Sequence, residues 1–255
     1  MDGPLQARQH PLKAIAKPGI EALRRMWVPF VVIQLAALTL VIVYFQSATL
    51  RTFCDRLAAI KEAGGLAFVA GAMVLASAVL PEAIKAVTRA DQKTPRQRGR
   101  DIVFNSVLYA FAGLYSNWFY MLLGGWFPHP TVRAVIAKVA IDMAVYTPIL
   151  GIPWMALLYT WREHRYQPGP TIKSLGGAWY VSRVTPLLLP CWAYWIPMCC
   201  LMYVLPTNLT FLFGVTGNGA AAVILITIAS RKTERREENA ECRVKGAECR
   251  MQPVE

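Results

Sequence analysis

The stretch KVAIDMAVYTP, from Lys138 to Pro148, sets an ammonium, a carboxylate and a phenol into an otherwise apolar run. Lys138, Asp142 and Tyr146 follow one another at steps of four, so a straight helix presents all three on one face. A carboxylate near mid-membrane costs about 2.5–3.5 kcal/mol on insertion scales, which is enough to turn it away from lipid. Asp142 is therefore expected to point inward. Lys138, about 6 Å away along the axis, can hold it ionised or snorkel to the interface. Such a pair either locks two helices together or lines a polar passage for small solutes or ions. Pro148 removes one backbone hydrogen bond, so the helix should bend or break about a turn and a half beyond Asp142.

An earlier apolar stretch carries a second polar row. Asn105, Tyr109, Ala112, Ser116 and Tyr120 recur at steps of three and four, again on one helical face. In lipid such a row must face other helices or water, because an unpartnered polar group in hydrocarbon is costly. Enzymatic chemistry finds no comparable support. G-x-S-x-G, a phosphate loop, H-E-x-x-H and a carboxylate pair on one spanning face are all missing. The six cysteines form no C-x-x-C pair, and His10, His129 and His164 fall in separate segments. The expectation is a protein that is not an enzyme and binds no metal or cofactor.

The elements that position these residues are long apolar runs. Of 255 residues, 55% are hydrophobic and 16% charged. Met26 to Phe45 gives 20 largely apolar residues with Gln34 as the polar break, long enough for a hydrocarbon core of about 30 Å. Further runs cover Leu66–Leu80, extendable through Val87, then Ile102–Phe127, Ala134–Trp161, Thr185–Leu205 and Leu209–Ala229. An all-α polytopic membrane protein with about six transmembrane helices is expected. Pro81 and Glu82 weaken the second run, and Pro186, Pro190 and Pro197 interrupt the fifth. The organisation reads as a basic segment over 1–25, an additional span over 26–45, a helix bundle over 66–230 and a charged tail over 231–255. Gly71, Ala72 and Ala76, with the small residues Gly217 to Ala221, permit close helix packing.

The net charge of +12 is distributed by side. Under six spans, 22 of the 27 lysines and arginines fall on one face and five on the other. That asymmetry places both termini on the cytoplasmic or matrix-like side, of either a bacterial inner membrane or an organelle membrane, with basic loops against anionic lipid headgroups. The tail RKTERREENAECRVKGAECR mixes its arginines with five glutamates, which argues for a solvated tail and against nucleic acid as a partner. Its seven-residue echo of Ala-Glu-Cys-Arg could pair two chains into a homo-oligomer. The apolar segment that begins at Met26 is longer than a typical signal core and no small-x-small site follows it cleanly, so the first span is expected to stay in the mature protein.

Gln97-Arg98-Gly99-Arg100, Gly113, the aromatic pair Trp118-Phe119, Pro128, Lys138, Asp142 and Pro148 occur in an order that resembles the family of the Mpv-seventeen protein and the twenty-two-kilodalton peroxisomal membrane protein. Members carry a glycine before a Trp-aromatic pair, a proline in the next loop, then Lys-x-x-x-Asp-Gln and a further proline. The likeness runs from about Leu66 to Ser230. The chain departs from the pattern at Met143, where members have glutamine, and at Pro81-Glu82, in place of Gly-Asp. Near the carboxy terminus, Trp195, Pro197 and the Leu205-Pro206 pair match, without the family's glutamine, asparagine or arginine. The resemblance implies a divergent member, a small multi-helix membrane protein acting as a weakly selective pore or facilitator. It names no substrate. The alternative is a scaffolding membrane protein without transport activity.

Overall fold

The computed structural model describes residues 11–88 and 91–223. The charged tail with its Ala-Glu-Cys-Arg echo lies outside the described residues. The elements are α1 (Pro11–Gln46), α2 (Ala48–Val74), α3 (Leu80–Val87), α4 (Pro95–Trp126), α5 (Val132–Ile141), α6 (Ile152–Glu163), α7 (Pro168–Ser174) and α8 (Thr185–Val204). Wide π turns at Leu75–Val79 and Asp142–Gly151 join α2 to α3 and α5 to α6, and a third at Tyr180–Val184 leads into α8. Residues 207–223 are helical again, and no strand occurs among the described residues.

Local chemistry sets most of these boundaries. Ser47 and Thr131 accept from the backbone N–H groups of Leu50 and Ala134 and so start α2 and α5. Thr94 and Gln97 cap α4 reciprocally, with Pro95 in the first turn. Leu205 is extended ahead of Pro206, which closes α8 and allows the next helix to begin. Gly65, at φ +52° and ψ −139°, interrupts α2. Side chains rarely adopt that conformation. It divides a half bearing Arg51, Asp55, Arg56, Lys61 and Glu62 from the apolar half that follows.

Four helical stretches are long and apolar enough to cross a membrane: Met26–Gln46, Ala48–Val87, Val132–Glu163 and Tyr180–Val204. This all-helical architecture is compatible with a multi-pass membrane protein. The count differs from the six expected, for two reasons. Asn105, Ser116, Asn117 and several tyrosines dilute the apolar character of α4. The last expected span is described only as far as residue 223. The prolines interrupt less than expected. Helix continues through Pro81 to Val87, and α8 runs unbroken past Pro190 and Pro197. The turn at Leu75–Val79, where Leu80 N–H reaches back to the Leu75 carbonyl, shifts the register just before Pro81.

Two buried clusters hold the bundle. The larger joins Ile33, Ala37 and Val41 of α1 to Tyr194, Met198 and Met202 of α8, with Leu209 and Phe213 beyond. Here Gln34 Nε2 donates to the Tyr194 carbonyl at 2.7 Å, and the Phe30 and Tyr194 rings lie 5.0 Å apart. The smaller cluster packs Val69 and Met73 of α2 on Ala112 of α4 and Phe211. Gly113 makes that approach possible, since a Cβ there would lie 2.6 Å from Met73 Cγ and 3.2 Å from the Val69 carbonyl oxygen. Many large apolar side chains face outward, Trp27, Leu35, Val107 and Trp118 among them. Outward apolar faces are what a lipid environment accepts.

Candidate functional site

Asp142 opens the wide turn after α5 and is 3% exposed. Its carboxylate accepts from Tyr203 Oη at 2.6 Å on Oδ2, from Cys199 Sγ at 3.5 Å on the same oxygen, and from Thr147 Oγ1 at 3.5 Å on Oδ1. Cys199 and Tyr203 stand four residues apart on α8, so one face of that helix supplies both donors.

Lys138, expected either to hold Asp142 ionised or to snorkel to the interface, does not pair with the carboxylate directly. Lys138 is buried, but its Nζ lies 5.8 Å from the centroid of the Tyr203 ring, and the ion pairs among the described residues do not include Lys138 with Asp142. Tyr203 meets both groups, with its ring below the ammonium and its hydroxyl on the carboxylate. A cation within about 6 Å of a ring centroid is attracted by the ring's quadrupole.

The expected single face also divides. The π turn that begins at Asp142 changes the register, so Asp142 meets α8 while Tyr146 meets α4. Tyr146 Oη and Ser116 Oγ lie 2.6 Å apart, and the Tyr146 ring stacks on Phe119 at 4.3 Å and 13°. Further along α4, Asn105 Oδ1 accepts from Tyr159 Oη of α6 at 3.2 Å, and Tyr109 packs half-buried against the smaller cluster. The polar row of α4 thus bonds to α6 and to the wide turn before it. Of the remaining motif residues, Trp118 is exposed on the outer face, Trp195 stacks edge-on with Tyr194 at 5.2 Å, Pro197 lies exposed within α8, and Pro206 closes that helix.

Pro148 neither stops the helix nor stands alone. In a π turn each N–H donates five residues back, as Ile152 does to the Thr147 carbonyl. In that register Pro148 would donate to Met143 and Pro153 to Pro148, yet neither proline has an N–H. Two carbonyls are left over. Trp192 Nε1 donates to the Met143 carbonyl at 3.0 Å, and Tyr180 Oη donates to the Pro148 carbonyl at 2.8 Å. Both donors come from the α8 arm of the chain.

A second polar constellation lies where α3, α4 and α6 end together. Glu82, 2% exposed, pairs with Lys85 at 2.7 Å and Arg98 at 3.0 Å, and Arg98 reaches Asp91 at 2.6 Å. Asp101 pairs with Lys93 at 2.5 Å and with Arg162, which lies 4.7 Å over the Phe104 ring. Burial pushes the Asp101 carboxyl up, but the Lys93 hydrogen bond and the Arg162 charge outweigh it and hold the group below its ordinary range. The Asp101 bond holds the Lys93 ammonium above its own.

Sequence reasoning missed Tyr203, Thr147 and Cys199 as partners of Asp142, and it missed the network around Glu82 and Asp101. The spacing of Cys199 and Tyr203 does not say which helix faces them, whereas the mixed charges from Glu82 to Asp101 were an available signal for the network. Comparison of the chain with models of protein families, with curated proteins and with solved structures gives no match.

Proposed function

We propose that the chain is an integral membrane protein of six crossings that facilitates the passage of small solutes or ions, with Asp142 as the group that holds a proton or small cation in transit. The two crossings beyond the four apolar stretches are the runs Ile102–Phe127, carried by α4, and Leu209–Ala229. The 22-to-five division of basic residues supports both termini on the basic side. Membership of the Mpv-seventeen family belongs to the same proposal, supported by the ordered series from Gly113 to Pro148.

One observation carries this reading. The Asp142 carboxylate is buried in the bundle, is bonded by neutral donors alone, and enters no ion pair among the described residues. Desolvation disfavours a lone charge there, so a proton or a small cation is attracted to it. The purified protein in a planar bilayer should conduct small cations, and Asp142→Asn should insert and fold while cation preference is lost. A wild-type protein that conducts nothing sinks the proposal. The 2.6 Å bond from Tyr203 favours a second reading, in which Asp142 ties α8 to the α5–α6 arm and the protein is a scaffold.

A further inference from the structure

At the outer end of α4 and α6 a polar cavity of about 440 Å³ is lined by Gln97, Arg100, Asp101, Arg162, Arg165 and Tyr166. Beside it a second cavity of about 640 Å³ shares Arg100 and Tyr166 and adds Arg96 and the apolar side chains of Val103, Phe104, Val107 and Trp161. The two form one amphipathic groove. Cations sit at its mouth, and the exposed Val103 and Val107, four residues apart, run along its length on α4.

The charges at the mouth are of two kinds. Arg162 is committed to Asp101, and the neighbouring Arg98 and Lys93 to Glu82, Asp91 and Asp101. Arg96, Arg100 and Arg165 enter no ion pair among the described residues. Arg165 is also held where side chains are uncommon. It follows the end of α6 at φ +52°, and Tyr166 follows at φ +64°. Tyr166 N–H reaches back to the Trp161 carbonyl at 2.9 Å, in a cap usually completed by glycine. An arginine in that conformation, lining a cavity together with Arg100, is the kind of local strain that collects at binding sites.

We propose that this groove binds one anionic phospholipid, with its phosphodiester at Arg96, Arg100 and Arg165 and an acyl chain along Val103, Val107 and Trp161. Arginine's planar fork suits phosphate oxygens. Free phosphate would satisfy the mouth and leave the apolar length unexplained, so the commitment is to lipid. The site needs membrane insertion and is independent of any passage at Asp142.

The test uses the full chain, delipidated in detergent and titrated with phosphatidylglycerol or phosphatidylcholine whose acyl chains are brominated in the same way. Quenching that is lost in Trp161→Phe reports the groove. Phosphatidylglycerol should quench at concentrations about a hundredfold lower than phosphatidylcholine, each of the three free arginines contributing about fivefold. Arg165→Gly should lower that preference about fivefold, and Arg100→Gln with Arg165→Gly should lower it further, with phosphatidylcholine, whose choline cancels the phosphodiester charge, weakened less than phosphatidylglycerol. The glycine relieves the left-handed backbone, so misfolding at that point does not explain a loss. Asp142→Asn should leave lipid quenching intact whether or not it abolishes conductance. Equal quenching by the two lipids, an unchanged preference in Arg165→Gly, or displacement of the lipid by millimolar inorganic phosphate would each overturn the proposal.

Discussion

Removing the Tyr203 hydroxyl isolates the strongest contact of the buried carboxylate. Tyr203→Phe keeps the ring, and with it the Lys138 contact at 5.8 Å, but deletes the 2.6 Å donor to Asp142. The donors that remain, Cys199 and Thr147, both stand at 3.5 Å and compensate poorly. A hydrogen bond to a charged group contributes about 1.5–3 kcal/mol, and one between neutral groups about 0.5–1.5 kcal/mol. With an ionised Asp142, Tyr203→Phe should therefore cost about 2–3 kcal/mol in wild type and about 1 kcal/mol in an Asp142→Asn background, where the amide oxygen still accepts from Tyr203. The coupling of about 1–2 kcal/mol is what a double-mutant cycle measures, by reversible unfolding in mixed micelles. Lys138→Met should shift stability by the same amount in wild type and in Asp142→Asn, because the lysine meets the tyrosine ring and makes no ion pair with the carboxylate. A Tyr203→Phe variant within about 0.5 kcal/mol of wild type, or a Lys138→Met change that stabilises Asp142→Asn more than it stabilises wild type, would refute this assignment.

Gly113→Ala should destabilise by about 1–3 kcal/mol through overpacking against Met73 and the Val69 carbonyl, whereas a Cβ at Gly71 meets nothing within 4 Å; thermal unfolding of the two variants in parallel compares them. The ion network should be sensitive to acid. Asp101 is held below its ordinary value of 3.8, so its contribution is complete above that pH and is lost as pH falls through the lowered folded value. Asp101→Asn should flatten the acid limb of the melting profile. Lys93, raised above its ordinary 10.5, contributes below that pH and is lost above it, so the alkaline limb should flatten in Lys93→Met.

Much of the scaffold was readable from composition, because an apolar run of 20 residues has few soluble uses. The inward placement of Asp142 followed from the same cost of charge in lipid. What Asp142 bonds to was not readable. That depends on which face of α8 arrives opposite it, and periodicity along one helix carries no information about the helix facing it. Cys199 is a small apolar residue by type, and only its position one turn from Tyr203 against the carboxylate makes it a donor. Pro81, Pro190 and Pro197 misled for a related reason. A proline's cost is set by what becomes of the carbonyl it leaves free, and at Pro148 the answer lies in Trp192 and Tyr180, more than thirty residues on. The lysine of Lys138-x-x-x-Asp142 drew the obvious pairing at a step of four, but an aromatic ring from a distant helix interrupts it.

Those two borrowed hydrogen bonds bear on biogenesis. A ribosome delivers Pro148 and Pro153 before Tyr180 and Trp192, so for part of synthesis the α5–α6 arm carries two carbonyls with no internal partner. Each such group costs several kcal/mol in hydrocarbon, where no water is present to take the bond. The arm is thus an incomplete guest for the bilayer until its partner emerges. Its sequence is apolar enough to leave a translocation channel early, while its backbone favours waiting. On the proposed membrane reading, partition as a hairpin with α8 would remove the conflict, and the proline pair would couple the entry of one helix to the arrival of another.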